Sequence, residues 1–454
     1  MPTASPEAPS DLLDDDARPP KRARAPRSQK PSAARNGHPR PDVASRASTP
    51  EPSVHEVGVP LSRVDPDAAK VIRRLRRHDH EAYLVGGGVR DLLLDITPKD
   101  FDVATSARPA EVKSLFRNCR IIGRRFRLAH VLFGGGKIIE VATFRRDPQL
   151  SGTDPRSARR QDDVDLLIRQ DNVFGEPHED AVRRDFTING LFLDTEEGKV
   201  IDYVGGMEDL AQREIRTIGA PDVRFREDPV RILRAIKFSA RLDLGIAPDV
   251  YDAIVACRSD LARAARPRLL EELLRLLRGG AAHRSYWLMW ETGALVVLLP
   301  QLAAHLDDDG LGAQALWGRL AAIDTMKRAG RLPSDAVLFA ALMLGPIEEA
   351  MAGEKDPGRA YEGLMGDVLE RLAVPRRMKE RVRHLIGAQR RLRAGRLGSL
   401  PRRDYFTDAT ALFRLDQHAR GERRPEWLDD PPAVEPEHKP RRRRRRRRRR
   451  DNGD

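Results

Sequence analysis

Cysteine is nearly missing from this chain: 454 residues contain two, Cys119 and Cys257. Neither has a metal-ligand partner nearby in sequence. That excludes a disulfide framework and a zinc finger, and both read as reduced, buried residues in a reducing compartment. Long apolar runs are also lacking. No stretch reaches transmembrane length and the first thirty residues have no signal-peptide apolar region, so the chain reads as soluble and cytoplasmic, with no membrane in its function. No internal repeat is evident. Residues 1–57 have almost no aromatics and are rich in Pro, Ala, Ser and Arg. They cannot build a core, and are expected to be disordered. Acidic charge is outweighed, 69 Asp and Glu against 82 Lys and Arg, for a net charge of +13 and a pI near 10.0. Such an excess favours a polyanionic partner, nucleic acid first.

What is present begins with basic tails. Lys21-Arg22-Ala23-Arg24 is solvated charge, a nuclear address or a nucleic-acid arm. Residues 441–450 are ten consecutive arginines. Self-repulsion forbids compact structure there, and the plausible use is salt-dependent phosphate contact. Between the tails, 64–77 reads as a lead-in helix, 109–118 as a helix, and 120–122, 130–133, 138–143 and 199–201 as strands. Residues 147–172 are polar and irregular, and are expected to form a mobile insertion loop. From about 206 the pattern is helical, with no convincing strands. The fold class expected is α+β: a small mixed-sheet head followed by a long all-α region. The expected divisions are 58–205 head, 206–290 helical neck, 291–432 helical body and 433–454 disordered tail.

The stretch that organises the chain is 83–105, Tyr-Leu-Val-Gly-Gly-Gly-Val-Arg-Asp-Leu-Leu-Leu-Asp-Ile-Thr-Pro-Lys-Asp-Phe-Asp-Val-Ala-Thr. A strand-like run stops at Gly86, Gly87 and Gly88, and a short helix-like stretch follows. On a strand, Asp100 and Asp102 share one face, with Phe101 on the other. Paired carboxylates repel unless a cation sits between them, and Mg²⁺ suits oxygen ligands and phosphates. The glycines let backbone N–H groups approach a phosphate. Further on, Glu140 lies in a β-branched run, where a carboxylate is costly to bury unless paired or metal-bound. Arg183-Arg184-Asp185-Phe186-Thr187-Ile188-Asn189 puts basic residues beside an aspartate. In Glu227-Asp228-Pro229-Val230-Arg231, Asp228 and Arg231 point to the same side if Pro229 opens a helix.

Taken together, these motifs resemble the nucleotidyltransferase superfamily that includes DNA polymerase beta. Within it they resemble the class II tRNA nucleotidyltransferases and bacterial poly(A) polymerases. The resemblance covers roughly 80–300, with five motifs in family order. It implies that Asp100 and Asp102 hold two Mg²⁺ ions, with Glu140 as a third carboxylate. Gly87, Gly88 and Arg90 would hold the triphosphate, Arg184 would face the phosphates, and Asp185 would bond the ribose. Asn189 would hold the turn or the nucleotide. Glu227, Asp228 and Arg231, with Arg234 one turn on, would read the base using protein in place of a template. Asp202-Tyr203-Val204-Gly205-Gly206 looks like a flexible head–neck link. Residues 268–277 look like a neck helix whose glutamates brace the nucleotide-reading arginines.

The implied reaction is attack by an RNA 3′-hydroxyl on the α-phosphorus of a nucleoside triphosphate. The stretches 124–131 and 402–415, the latter with Phe413 and Leu415 on its apolar side, resemble segments of bacterial poly(A) polymerases and point to ATP. A CCA-adding enzyme is the alternative reading, since it shares the other motifs. No His-Asp phosphohydrolase-like pattern follows downstream. A noncatalytic RNA-binding protein on the same fold is the reading from another class, and the intact carboxylates argue against it.

Overall fold

The computed structural model describes residues 51–56, 61–123, 127–146, 173–307, 310–423 and 425. The readings placed on 1–50, on 147–172, on the arginine tail and on 124–126 lie outside the described residues.

Strands β1 (Ser53–Glu56), β2 (Ala82–Val85), β3 (Asp102–Thr105), β4 (Cys119–Ile122), β5 (Leu128–Leu132), β6 (Ile138–Thr143), β7 (Leu191–Asp194) and β8 (Lys199–Asp202) form one sheet. Their order is β1-β8-β7-β2-β3-β6-β5-β4. Neighbours are antiparallel except β3 and β6, which are parallel. Helix α1 (Pro66–Arg76) starts where the Asp65 carboxylate accepts from the N–H groups of Asp67 and Ala68. It buries Ala68, Val71, Ile72 and Leu75, one apolar stripe, against β2 and β3. Helices α2 (Gly87–Leu93) and α3 (Pro109–Leu115) follow β2 and β3. A smaller cluster packs Val85, Ala104, Phe144 and Phe192 with Ala181 of α4 (Pro177–Val182). Within it Tyr83 and Phe192 meet edge-on at 6.0 Å between centroids, and Phe144 is tilted to both.

Behind the sheet come α5 (Gly206–Gln212), α6 (Pro221–Glu227), α7 (Val230–Leu242), α8 (Pro248–Cys257) and α9 (Arg266–Arg278). The chain continues through α10 (Ala282–Glu291), α11 (Ala294–Leu298), α12 (Pro300–Asp307), α13 (Leu311–Arg328), α14 (Asp335–Met351), α15 (Pro357–Arg371), α16 (Arg376–Arg393) and α17 (Phe406–Ala419). Leu, Ile, Val and Ala spaced at helical intervals join one core running from α1 to α17. Among the described residues no helix is long and apolar enough to cross a membrane. The mixed sheet followed by helices is the α+β architecture expected.

Three local expectations are corrected. Residues 53–56, assigned to the disordered extension, are a strand: β1 pairs with β8 from Ser53↔Asp202 to Glu56↔Lys199. Main-chain pairing to an open edge needs little apolar pattern, and Val54 is exposed. The supposedly flexible link at 202–206 is a locked turn. The buried Asp202 carboxylate accepts from the N–H groups of Val204, Gly205 and Met207, each at 2.9 Å. A Cβ on Gly206 would collide with the Thr187 carbonyl. The region read as wholly helical also contains a two-residue parallel pairing, Glu214–Ile215 with Gly245–Ile246. Within 402–415 one face is core: Phe413 and Leu415 of α17 are buried, whereas residues 402–404 are exposed, and α17 packs against α13, α14 and α16.

Candidate active site

The parallel register Val103↔Val141 puts Asp102 and Glu140, one step earlier on β3 and β6, side by side. The expectation that Asp100 and Asp102 share a strand face is corrected: β3 begins at Asp102, and Asp100 precedes it and is exposed. Burial, the Glu140 charge and then Asp100 push the Asp102 carboxyl up to about 6, with Arg184 partly opposing them. Glu140 has a second neighbour, His130 across β5, with Nε2 at 3.4 Å from its carboxylate. Helix α2 lies close to this acidic edge. A Cβ on Gly88 would sit 3.2 Å from the Asp100 carbonyl oxygen, a tight contact that would make the neighbour give by a few tenths of an ångström. Gly86, at φ +70°, turns the chain into α2 in a conformation that L side chains rarely adopt.

Arg184 stands between this edge and the neck. A Cβ on Gly86 would lie 3.0 Å from its Nη1, and its guanidinium stacks on Phe192 at 5.3 Å. Buried Asp180 holds it from below, accepting from Nη2 at 2.8 Å. The next residue, Asp185, serves the other side. It accepts from Arg234 Nε at 2.6 Å, Asn189 Nδ2 at 3.0 Å and the Phe186 N–H at 2.9 Å. Burial raises this carboxyl, but Arg234, Asn189 and Arg231 outweigh it and hold it well below the usual carboxylate range. Asn189 is the hub of the network: its Oδ1 accepts from Arg90 Nη1 at 2.5 Å, and its backbone carbonyl accepts from Arg184 Nη1 at 3.2 Å.

Arg90 is corrected on this geometry. It is only 2 % exposed, donates to Asp91 and Asn189, and lies over Phe238 at 4.8 Å. A buried guanidinium already satisfied by two partners braces the site and does not face a triphosphate.

A cavity of about 510 Å³ opens beside Asp185, lined by Asp228, Arg231 and Arg234 from one side and by Pro267, Arg268, Glu271, Glu272 and Arg275 of α9 from the other. Three of the four residues expected to read or flank the base therefore converge here with the expected ribose partner, while Glu227 stands behind them. Glu227 accepts from Arg231 Nη1 at 2.8 Å and Arg224 Nη1 at 2.7 Å. Both Arg231 contacts, to Glu227 and to the Arg224 carbonyl, use Nη1, leaving the rest of its fork out of them. Pro229 is the cap, not the first residue, of α7.

Several contributors were not anticipated. Arg268 forks onto the Asp228 carboxylate at 3.2 and 2.8 Å. The two lie forty residues apart, and nothing local announces the pair. The α9 glutamates line the cavity and do not hydrogen-bond Arg231 or Arg234: Glu272 accepts from Lys237 at 2.8 Å and Arg275 at 3.0 Å, and Glu271 from Arg275 and Arg278. Burial, then Arg234, lowers the Lys237 ammonium to about 8.

Comparison with known proteins gives the family. The family described as "Poly A polymerase head domain" matches residues 82–216, and "Probable RNA and SrmB- binding site of polymerase A" matches 243–306. "Poly(A) polymerase I" of Salmonella typhimurium is 43% identical over 345 residues, 73% of this chain and 74% of that one. The chain belongs to the bacterial poly(A) polymerase family. As such it is a nucleotidyltransferase. The "CCA-adding enzyme" of Geobacillus stearothermophilus is a more distant relative, 38% identical over 256 residues, 56% of this chain and 60% of that one. Among solved structures, a CCA-adding enzyme in complex with CTP matches with a TM-score of 0.55 at 22% identity, over 80% of this chain and 82% of the other, which supports the fold alone.

Proposed function

We propose that this poly(A) polymerase relative transfers AMP from ATP to the 3′-hydroxyl of RNA without a template, working in the cytoplasm, and that the clefts just described divide the labour. The observation that carries this reading is the Arg184–Asp185 pair. Adjacent residues face two ways, one toward the glycine turn and acidic edge, the other into the cavity with Arg231 and Arg234. A nucleotide spanning them would place its phosphates over Gly87, Gly88 and Arg184, its ribose at Asp185 and its base between Asp228 and Arg231. Glu227 fixes the Arg231 fork, so base choice rests on a side chain with little freedom left.

Asp100 and Asp102, with Glu140 beside them, would hold Mg²⁺. The donor set fits: a half-buried carboxylate held up near 6 first by burial and then by its anionic neighbours is relieved by a divalent cation. Among the described residues, no group of three or more His, Cys, Asp or Glu side chains stands ready to hold a metal ion, so the assignment rests on the Asp102–Glu140 juxtaposition and the nearby Asp100 alone. Bound there, two Mg²⁺ ions would lower the pKa of the attacking hydroxyl and neutralise charge on the leaving pyrophosphate. The chain's own contribution is positioning: Arg184, locked by Asp180, holds the phosphates, and Asn189 keeps Arg90, Asp185 and Arg184 in register.

The test is product length on an unstructured RNA with each triphosphate alone. Long A tracts from ATP and poor incorporation of CTP are expected. Clean addition of two C and one A to a tRNA lacking its 3′ end, with no long tract on other RNA, would reverse the reading in favour of the CCA-adding alternative. Inert protein with RNA affinity intact would favour the noncatalytic one.

Arg268 holds both oxygens of Asp228 and so competes with a base for that carboxylate. Arg268 is exposed and an exposed pair is worth up to about 1 kcal/mol. Arg268→Ala is therefore expected to lower KM for ATP by about two- to fivefold. A raised KM would mean that Arg268 touches the nucleotide.

A further inference from the structure

A second cavity of about 320 Å³, which shares no lining residue with the first, lies in the helical body between α15, α16 and the turn at Leu400–Arg402. Its walls differ from an ordinary packing gap. His384 and Tyr405 stack at its rim, ring centroids 4.8 Å apart and 17° from parallel. Tyr361, on its wall, is 5 % exposed, and its hydroxyl is buried without a hydrogen-bond partner. Burial pushes its phenol up to about 12. Gly387 leaves one wall as bare helix backbone, where an added Cβ would meet nothing within 4 Å. Arg383 and Arg391 line the same cavity, on a helix whose sequence is dominated by arginine.

We propose that this cavity is a binding pocket for one unpaired base of single-stranded RNA. The inference rests on the reading of the protein as an RNA-extending enzyme. A flat heterocycle extends the His384–Tyr405 stack. The flanking phosphates meet Arg383 and Arg391; among the described residues Arg383 has an exposed pair with Glu362 at 3.2 Å to exchange for them, and Arg391 donates from Nη2 to the Leu397 carbonyl at 2.9 Å. The volume suits a single planar group. The basic rim favours a polyanion over the aromatic side chain of a protein partner. Such a pocket would hold the strand remote from its 3′ end while the end is extended.

The experiment uses the full chain and two variants. Gly387→Leu fills the pocket from a position whose Cβ faces open space, and leucine is a better helix former than glycine, so folding is preserved. Tyr405→Ala removes half of the stack. Affinity for a labelled single-stranded oligoadenylate is read by fluorescence anisotropy at fixed salt, beside steady-state extension. Both variants are expected to raise Kd and the RNA KM by about tenfold, with kcat at saturating RNA and KM for ATP unchanged. An abasic strand of equal length should bind wild type as weakly as oligoadenylate binds Gly387→Leu. Unchanged Kd in both variants, or equal losses on the abasic strand, would overturn the pocket. Free AMP displacing the label as effectively as unlabelled strand would replace RNA by a mononucleotide as its occupant. Wild type that extends RNA while both variants bind normally refutes the pocket alone. Wild type that neither binds nor extends RNA removes the polymerase reading, and the pocket with it.

Discussion

Asp102→Ala is expected to reduce AMP transfer by about 10³-fold or more, on the scale of several kcal/mol of lost transition-state stabilisation for a metal-holding carboxylate. The fold should not suffer. Asp102 is pushed up to about 6 by burial, by Glu140 and by Asp100, so its charge opposes the native state. Its native pKa lies above the ordinary carboxylate value near 4, which means that the native state binds the proton more tightly than the unfolded chain. Stability without Mg²⁺ therefore falls as pH rises from about 4 through about 6. Asp102→Asn should erase that loss, melting at pH 8 no lower than wild type. Added Mg²⁺ should raise the melting temperature of wild type and leave Asp102→Asn nearly unmoved. Substantial activity of either variant with excess ATP and Mg²⁺, or an equal Mg²⁺ shift in both proteins, contradicts the assignment.

The acidic edge was legible because its parts are local. Asp100 and Asp102 are two residues apart, and 138–143, a β-branched run, is the strand β6 that carries Glu140. Even so, their meeting depends on a parallel pairing between strands some forty residues apart, which no local pattern states. The cavity was half legible. Asp228 and Arg231 announce themselves by spacing on a helix start, whereas Arg268, Glu271 and Glu272 arrive by packing of α9 against α7. Arg90 shows the limit of charge as a guide: arginines beside glycines suggest phosphate, and only tertiary structure reveals that this one is buried on Phe238 and spoken for by Asp91 and Asn189. Strand β7, Leu191–Asp194, went unread because four residues after an Asn-Gly turn carry too little periodicity. Asp202 and Gly206 mislead in the other direction. Glycines suggest a hinge, yet three N–H bonds to one carboxylate and a contact with no room for Cβ make a fixed corner.

The second large effect is expected on stability, at Asp416. This carboxylate is 1 % exposed and accepts from Arg319 Nη1 at 2.6 Å, Arg393 Nη2 at 2.6 Å and Arg420 Nε at 2.9 Å. Arg319 is fully buried, and its Nε donates to the Ala341 carbonyl at 2.8 Å. One side chain thus ties α13, α14, α16 and α17 together. Burial raises the Asp416 carboxyl, but Arg319 and Arg420 outweigh it and hold it below the ordinary range. The stability it contributes is present above about pH 4 and is lost as pH falls through the lower native pKa. Asp416→Asn leaves Arg319 buried with its charge uncompensated, which costs about 3–5 kcal/mol. Arg420→Ala should cost about 1 kcal/mol or less, because Asp416 keeps two partners and Arg420 is partly exposed. Arg319→Met together with Asp416→Leu should recover much of the loss, since apolar groups of similar volume can replace a buried ion pair. Thermal melts and limited proteolysis of the body read all three. Asp416→Asn melting within a degree or two of wild type would show that the arginines find other anions. The chemistry should respond differently from the Asp102 variants. Helix α16 carries Arg383 and Arg391, so loosening it should raise the RNA KM well before it slows transfer at saturating RNA.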